Sequence, residues 1–276
     1  MGKLLSASMA RTVKDKVFWV CVTALSVLVA YVCVQNYLYQ MRYNTPYGLD
    51  MMLFGYNLFI PIQCAVFCSM FLGTEYADGT IRNKLVVGHT RRAVYLSNVV
   101  TAFVASVLMS LACFVVCLAM GVPLFGGPRM GVGWMLTILL GSLCMTAAIC
   151  AICTACAMLI HKKAVLVLVL VLGMVALMLA AIAIQGMLEA PEFYPYAMDM
   201  VDGELVTRND VPNPHYLTGA KRAFYQFLYD FLPTGQARQY HMGEAAHPWR
   251  MCLYSIAITV VTTIAGLAAF RRKDIK

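Results

Sequence analysis

The chain has 276 residues, of which 61% are hydrophobic and 12% charged, with mean hydropathy +0.74 and a formal net charge of +8. Soluble domains are about a quarter charged, so this composition excludes an ordinary soluble domain, a disordered chain and a collagen. Eleven cysteines are about 4% of the chain, below the roughly 8–10% of a disulfide scaffold.

In chain order, residues 1–16 come first, with Lys3, Arg11, Lys14 and Lys16. Leu5, Met9, Val13 and Val17 recur every four residues, which predicts a short amphipathic helix lying on the membrane surface. Six apolar runs follow, at 17–38, 53–73, 94–120, 134–160, 164–187 and 251–270, and none contains Asp, Glu, Lys, Arg or His. A helix needs about 20 apolar residues to cross the hydrocarbon core, and a charge at its centre costs about 2.5–3.5 kcal/mol on insertion scales. The expected fold is therefore an all-α membrane protein with six transmembrane helices, one interfacial helix and a large external segment, all within a single transmembrane domain. The first run is too long for the apolar part of a cleaved signal and no A-x-A site follows it, so it is expected to stay as an anchor. Pro61, between Asn57 and Gln63, is expected to kink the second span.

Charge sets the expected orientation. The leader, the 74–93 loop, the 161–163 turn and the tail after Phe270 hold fourteen Lys and Arg, and the opposite side holds seven, five of them in 188–250. Short loops carry the positive-inside signal, so both termini are expected in the cytoplasm. The basic excess reads as a topology and anionic-lipid signature, not as a nucleic-acid site.

All eleven cysteines lie in the six runs. Cys150, Cys153 and Cys156 have ligand-like spacing, but no fourth ligand stands near them, so they read as packing residues and no metal site is expected. Ala147, Ala151 and Ala155, and then Gly173, Ala176, Ala180 and Ala183, form small-residue stripes suited to close helix approach. The external segment 188–250 holds an acidic group, Asp199, Asp202, Glu204 and Asp210, that reads as a solvated loop. Tyr216, Ala220, Phe224, Phe227, Leu228 and Phe231 then predict an amphipathic helix resting on or dipping into the outer leaflet. Residues 188–248 carry eight acids against four bases, a field that attracts a cationic cargo or merely solvates a loop. No P-loop, zinc-protease or nucleophile-elbow motif is present, and the six runs hold no carboxylate or histidine for ion coupling. No catalytic residue is assigned, and the body reads as one driven from outside itself.

The informative loop joins the second and third runs. Asp78-Gly79 is a turn pair, Thr80 a candidate N-cap and Gly88 a candidate C-terminal stop, which frames a seven-residue helix at Ile81–Val87. Ile81 and Leu85, with Val86 as a further candidate, give it an apolar edge, beside polar Arg82 and Lys84. Two turns are not stable alone, so such a helix needs something to dock against.

The run Glu75-x-x-x-Gly79-Thr80-Ile81-Arg82-x-Lys84, followed by Gly88, Arg91 and Tyr95, resembles the permease subunits of type 2 ABC transporters, those with a type V exporter-like fold. The closing Phe270-Arg-Arg-Lys273-Asp274-Ile-Lys276 tail and the six-span layout are similar too. The external segment departs from the family in being longer than a short re-entrant hairpin. The resemblance implies an exporter subunit of the bacterial cell membrane, paired with a second copy or a sibling permease. It also implies two separate ATPase subunits that hold ATP and Mg, with no cofactor on this chain. Glu75, Asp78, Gly79, Thr80, Ile81, Arg82, Lys84 and Leu85 would couple to the ATPase. The cargo it suggests is an amphipathic or cationic peptide or antibiotic; substrate-binding residues are unassigned. A self-powered or facilitative carrier and a membrane-embedded enzyme or assembly factor stand as alternatives.

Overall fold

The computed structural model describes residues 2–44, 48–194, 197–201, 204–208 and 211–273, the two five-residue pieces as backbone. Helix α1 (Gly2–Lys14) leads into α2 (Lys16–Tyr43) through Asp15, whose carboxylate accepts the Val17 N–H at 2.7 Å as a helix cap. Then come α3 (Asp50–Leu53), a 3-10 turn (Gly55–Phe59), α4 (Ile60–Ala77), α5 (Thr80–Val86), α6 (Arg91–Phe125), α7 (Val132–Leu159) and α8 (Lys163–Leu188). A hairpin, β1 (Ala197–Val201) with β2 (Glu204–Arg208), precedes α9 (Gly219–Phe231), α10 (Pro233–Met242) and α11 (Pro248–Arg272). Six helical segments are long and apolar enough to cross a membrane, and each contains one of the six runs except for an end residue of the fourth.

The second span differs from a kinked helix. Pro61 sits in the first turn of α4, where its missing N–H costs nothing, and the chain before it turns through the 3-10 segment instead of bending a continuous helix. This span is the least apolar of the six and the most buried, 67% of its window, whereas α8 is the most apolar and only 22% buried. In lipid the outward face needs no polarity, so the small and polar side chains gather at the centre. Cys64, Ala65, Cys68, Ser69 and Gly73 of α4 are buried there against α6, α7 and α8.

Of the two small-residue stripes, the one on α7 is packed. Ala151 and Ala155 are buried, and α7 has its most extensive packing with α11. A Cβ placed on Gly266 of α11 would collide with the Tyr95 hydroxyl and meet the Ala155 Cβ at 3.0 Å. Overpacking of this kind costs about 1–3 kcal/mol, so Gly266→Val is expected to lower the melting temperature of the detergent-solubilised protein, while Gly173→Val, where nothing lies within 4 Å, leaves it unchanged. Equal melting of the two variants would show that α7 and α11 do not touch as described. The stripe on α8 is different, because Gly173, Ala176, Ala180 and Ala183 are all exposed.

The segment after α8 also departs from expectation. Residues 197–201 and 204–208 pair as antiparallel strands with Ala197 opposite Arg208 and Val201 opposite Glu204, which puts Asp199 and Glu204 on strands; Asp202 and Asp210 lie outside the described residues. The predicted surface helix is α9, and with α10 it makes a hairpin that packs into the bundle. At its tip, the Thr234 hydroxyl donates to the Leu177 carbonyl at 2.9 Å. Leu177 is eleven residues from the end of α8, about 16 Å along a helix, so the tip reaches the middle of that span. Phe227 and Phe231 of α9 stack on each other at 5.6 Å and meet Tyr254 of α11 edge-on. Tyr240 of α10 is fully buried against Gly141. Backbone that leaves regular structure at such depth has to be enclosed by protein. The hairpin also brings a carboxylate into the body: buried Asp230 accepts from Gln226 at 2.9 Å, Gln239 at 3.1 Å and His247 at 2.9 Å.

Candidate functional site

Both ends of the described chain and α5 lie at one end of the bundle. The structure brings the loop residues together there around one carboxylate. Glu75, on the last turn of α4, is 1% exposed. Its Oε1 accepts from Arg11 of α1 and from Lys84 of α5, each at 2.6 Å, and its Oε2 accepts from Asn98 of α6 at 3.2 Å. Arg11 also donates to the Phe71 carbonyl at 2.9 Å and lies over the Phe71 ring at 4.2 Å. Four helices therefore meet on one side chain. A buried carboxylate is tolerated only when its charge is matched and its lone pairs are filled, and the two cations with Asn98 do both.

Between Glu75 and Lys84 the chain turns sharply. Asp78 ends α4 and is exposed, and Gly79 adopts φ +65°, a left-handed conformation that glycine enters without steric cost. Gly79, not Thr80, is the N-cap of α5; Thr80 is the first helical residue and makes no capping bond. The seven-residue helix thus starts one residue earlier than predicted, at Thr80–Val86. Gly88 does end it, at φ +99°, with the His89 N–H bonded to the Lys84 carbonyl and the Gly88 N–H to the Leu85 carbonyl, a Schellman motif.

The apolar edge of α5 faces the protein's own interior. Ile81 is 1% exposed in a cluster with Leu4, Val94, Tyr95, Met158 and Phe270, and Leu85 packs against that cluster. Val86 and Val87 point the other way and are each 78% exposed, beside exposed Arg82 and Asn83. The helix is held from behind by Ile81, Leu85 and Lys84, and it presents two valines, an arginine and an asparagine.

A second set of bonds ties down the last span. Arg91 donates to the carbonyls of Phe270 at 2.9 Å and Arg271 at 3.2 Å, and to that of Lys273. Lys273 donates to the Met158 carbonyl at 2.9 Å and the Tyr76 hydroxyl at 3.3 Å, and Tyr76 donates to the same Met158 carbonyl at 2.6 Å. Burial pushes the Lys273 ammonium down to about 8. Each cation satisfies carbonyls at a helix C-terminus, where positive charge is favoured.

Sequence reasoning singled out Glu75, Gly79, Lys84, Arg91 and the tail with Lys273 but not Asn98 or Tyr76, and took Arg11 only as a leader charge. The stripe chosen on α1, Leu5–Met9–Val13, lies beside the packed face, which is Leu4, Ser8 and Thr12 with Arg11. The small side chains at 8 and 12 were the available signal for close approach. Among the described residues, no group of three or more His, Cys, Asp or Glu is arranged to hold a metal ion. Cys150 and Cys153 are fully buried, and the Cys64 and Cys150 sulfurs stand 3.7 Å apart.

The described residues thus form a six-span helical body with a short buttressed helix at one end. The chain matches the family described as ABC-2 family transporter protein over residues 5–180, and it belongs to that family. The match takes in α1 through most of α8, with Glu75 and α5 inside it. No curated protein matches the chain. The protein is a multi-pass membrane permease subunit of an ABC transporter, a family that associates with ABC ATPase subunits.

Proposed function

We propose that the protein is the permease of an ATP-driven exporter whose energy reaches it through α5. The observation that carries this reading is the outward pair Val86–Val87 on a helix anchored from behind by Glu75, Ile81 and Leu85. Coupling by a two-turn helix requires stiffness on one side and an open apolar face on the other. Two ATPase subunits holding ATP and Mg would seat on that face from the cytoplasm, so both termini are cytoplasmic and the β1–β2 pair lies outside. ATP-driven movement of α5 then pulls on α4 through Glu75, on α1 through Arg11 and on α6 through Asn98.

The exposed small-residue face of α8 supports pairing with a second copy or a sibling permease, since it lets two helices approach closely. The excess of acids in 188–248 supports a cationic, amphipathic cargo such as a peptide or antibiotic. The charge bias of the short loops supports the bacterial cell membrane as its place.

Orientation is tested on a cysteine-free background with single cysteines at the exposed positions Asn83 and Glu192. An impermeant maleimide on intact cells is expected to label 192 and spare 83. Labelling of 83 alone would overturn the orientation and the coupling role together.

A further inference from the structure

At the end of the bundle away from α5, a cavity of about 180 Å³ lies between α2, α3, the 3-10 turn, α6 and α10. Its lining is unusual in chemistry. Cys33, Cys113, Cys117, Met51 and Met52 supply five sulfurs and His241 one imidazole. The sulfurs are graded by depth: Met51 is 61% exposed, Met52 8%, and the three cysteines no more than 2%. Cys33 of α2 and Cys117 of α6 are buried in one cluster with Met52, and the Cys117 thiol donates to the Met52 carbonyl at 3.5 Å. All three cysteines are free thiols.

We propose that this cavity binds a monovalent coinage-metal ion, Cu(I) in biology, between the Cys33 and Cys117 sulfurs, with Met52 as a thioether donor and Met51 at the mouth. Soft thiolate and thioether ligands select Cu(I). Such a d10 ion is content with two sulfurs, whereas zinc takes four ligands in a closed site. The lining holds no carboxylate, and among the described residues no three of its cysteine and histidine side chains are arranged to hold one ion together, so a closed four-ligand zinc site is not built here. No electron moves. Two S–H bonds break, two S–metal bonds form and two protons leave. They leave to water at the mouth of the cavity, where Met51 is 61% exposed.

The inference is independent of coupling through α5, because binding needs the permease alone. The purified full-length chain in detergent is titrated anaerobically with Cu(I) in competition with bicinchoninate. One ion per chain is expected to be withdrawn from the chelator. The Cys33→Ser, Cys117→Ser double variant should bind roughly a hundredfold more weakly and Met52→Leu about tenfold more weakly, while Cys64→Ser, Cys150→Ser, outside this lining, leaves affinity unchanged. Labelling of the parent gives a second readout that needs no variant: Cu(I) should shield Cys33 and Cys117 from N-ethylmaleimide, read by mass spectrometry. No withdrawal from the chelator, equal affinity of the Cys33/Cys117 double variant, unshielded labelling at both positions, or Zn(II) displacing the Cu(I) would each overturn the site.

Discussion

Replacing Glu75 by alanine is expected to melt the α5 end of the protein. The substitution leaves Arg11 and Lys84 close together without their shared carboxylate, at 31% and 15% exposure, and strands the Asn98 amide, which is buried. Removing one partner of a buried ion pair costs about 3–5 kcal/mol; partial exposure of Arg11 places this case near the lower figure. The detergent-solubilised variant should melt several degrees below the parent, and trypsin should cut the α1–α2 segment sooner. A double-mutant cycle separates a shared clasp from independent contacts. Arg11→Met alone should destabilise, yet Arg11→Met added to Glu75→Ala should cost little more, because the cation has already lost its anion. Additive losses would show that Arg11 and Glu75 do not act on each other. Glu75→Gln keeps the shape and loses the charge, so its melting point should fall between the two.

The second large effect separates the two faces of α5. Val86→Asp with Val87→Asp should leave the permease folded and abolish capture of its ATPase. Each valine is worth about 1.5 kcal/mol when buried, so losing both weakens the complex roughly a hundredfold. Ile81→Asp should instead destabilise the permease itself, because its carboxylate would enter the cluster of Leu4, Val94 and Phe270. Co-purification of the ATPase and a melting curve, measured on both variants, decide the matter. If the Val86/Val87 variant retained the ATPase and full transport, α5 would not be the coupling element.

What the sequence made legible follows from which forces act locally. The six spans were readable because charge is expelled from runs of about 20 residues. The bounds of α5 were readable to within one residue because Gly79 and Gly88 occupy left-handed positions that few other residues accept. Its orientation was not. A seven-residue helix with apolar side chains at 81, 85, 86 and 87 has candidates on two faces, and only the packing of α1 and α11 behind it chooses between them. The hairpin of α9 and α10 was hidden for another reason. Each helix is shorter than a membrane span, and Lys221, Arg222 and Asp230 make the stretch look like a surface segment. Asp230 enters the body only because Gln226, Gln239 and His247 wait for it there. The Arg11–Glu75 pair spans 64 positions, a separation that no local pattern reports.

The two sets of bonds at the α5 end differ in when their parts leave the ribosome. Every partner of Glu75, from Arg11 to Asn98, belongs to the first 98 residues, so that clasp can close once three spans have been made. Arg91 has to wait about 180 residues longer for the carbonyls of Phe270 and Arg271. Biogenesis of this end is therefore a two-stage closure: an early knot can form once the third span is made, and a late seam closes only after the sixth. A chain cut short after α8 would carry the knot with the seam open, and the carbonyl partners of Arg91 would be missing.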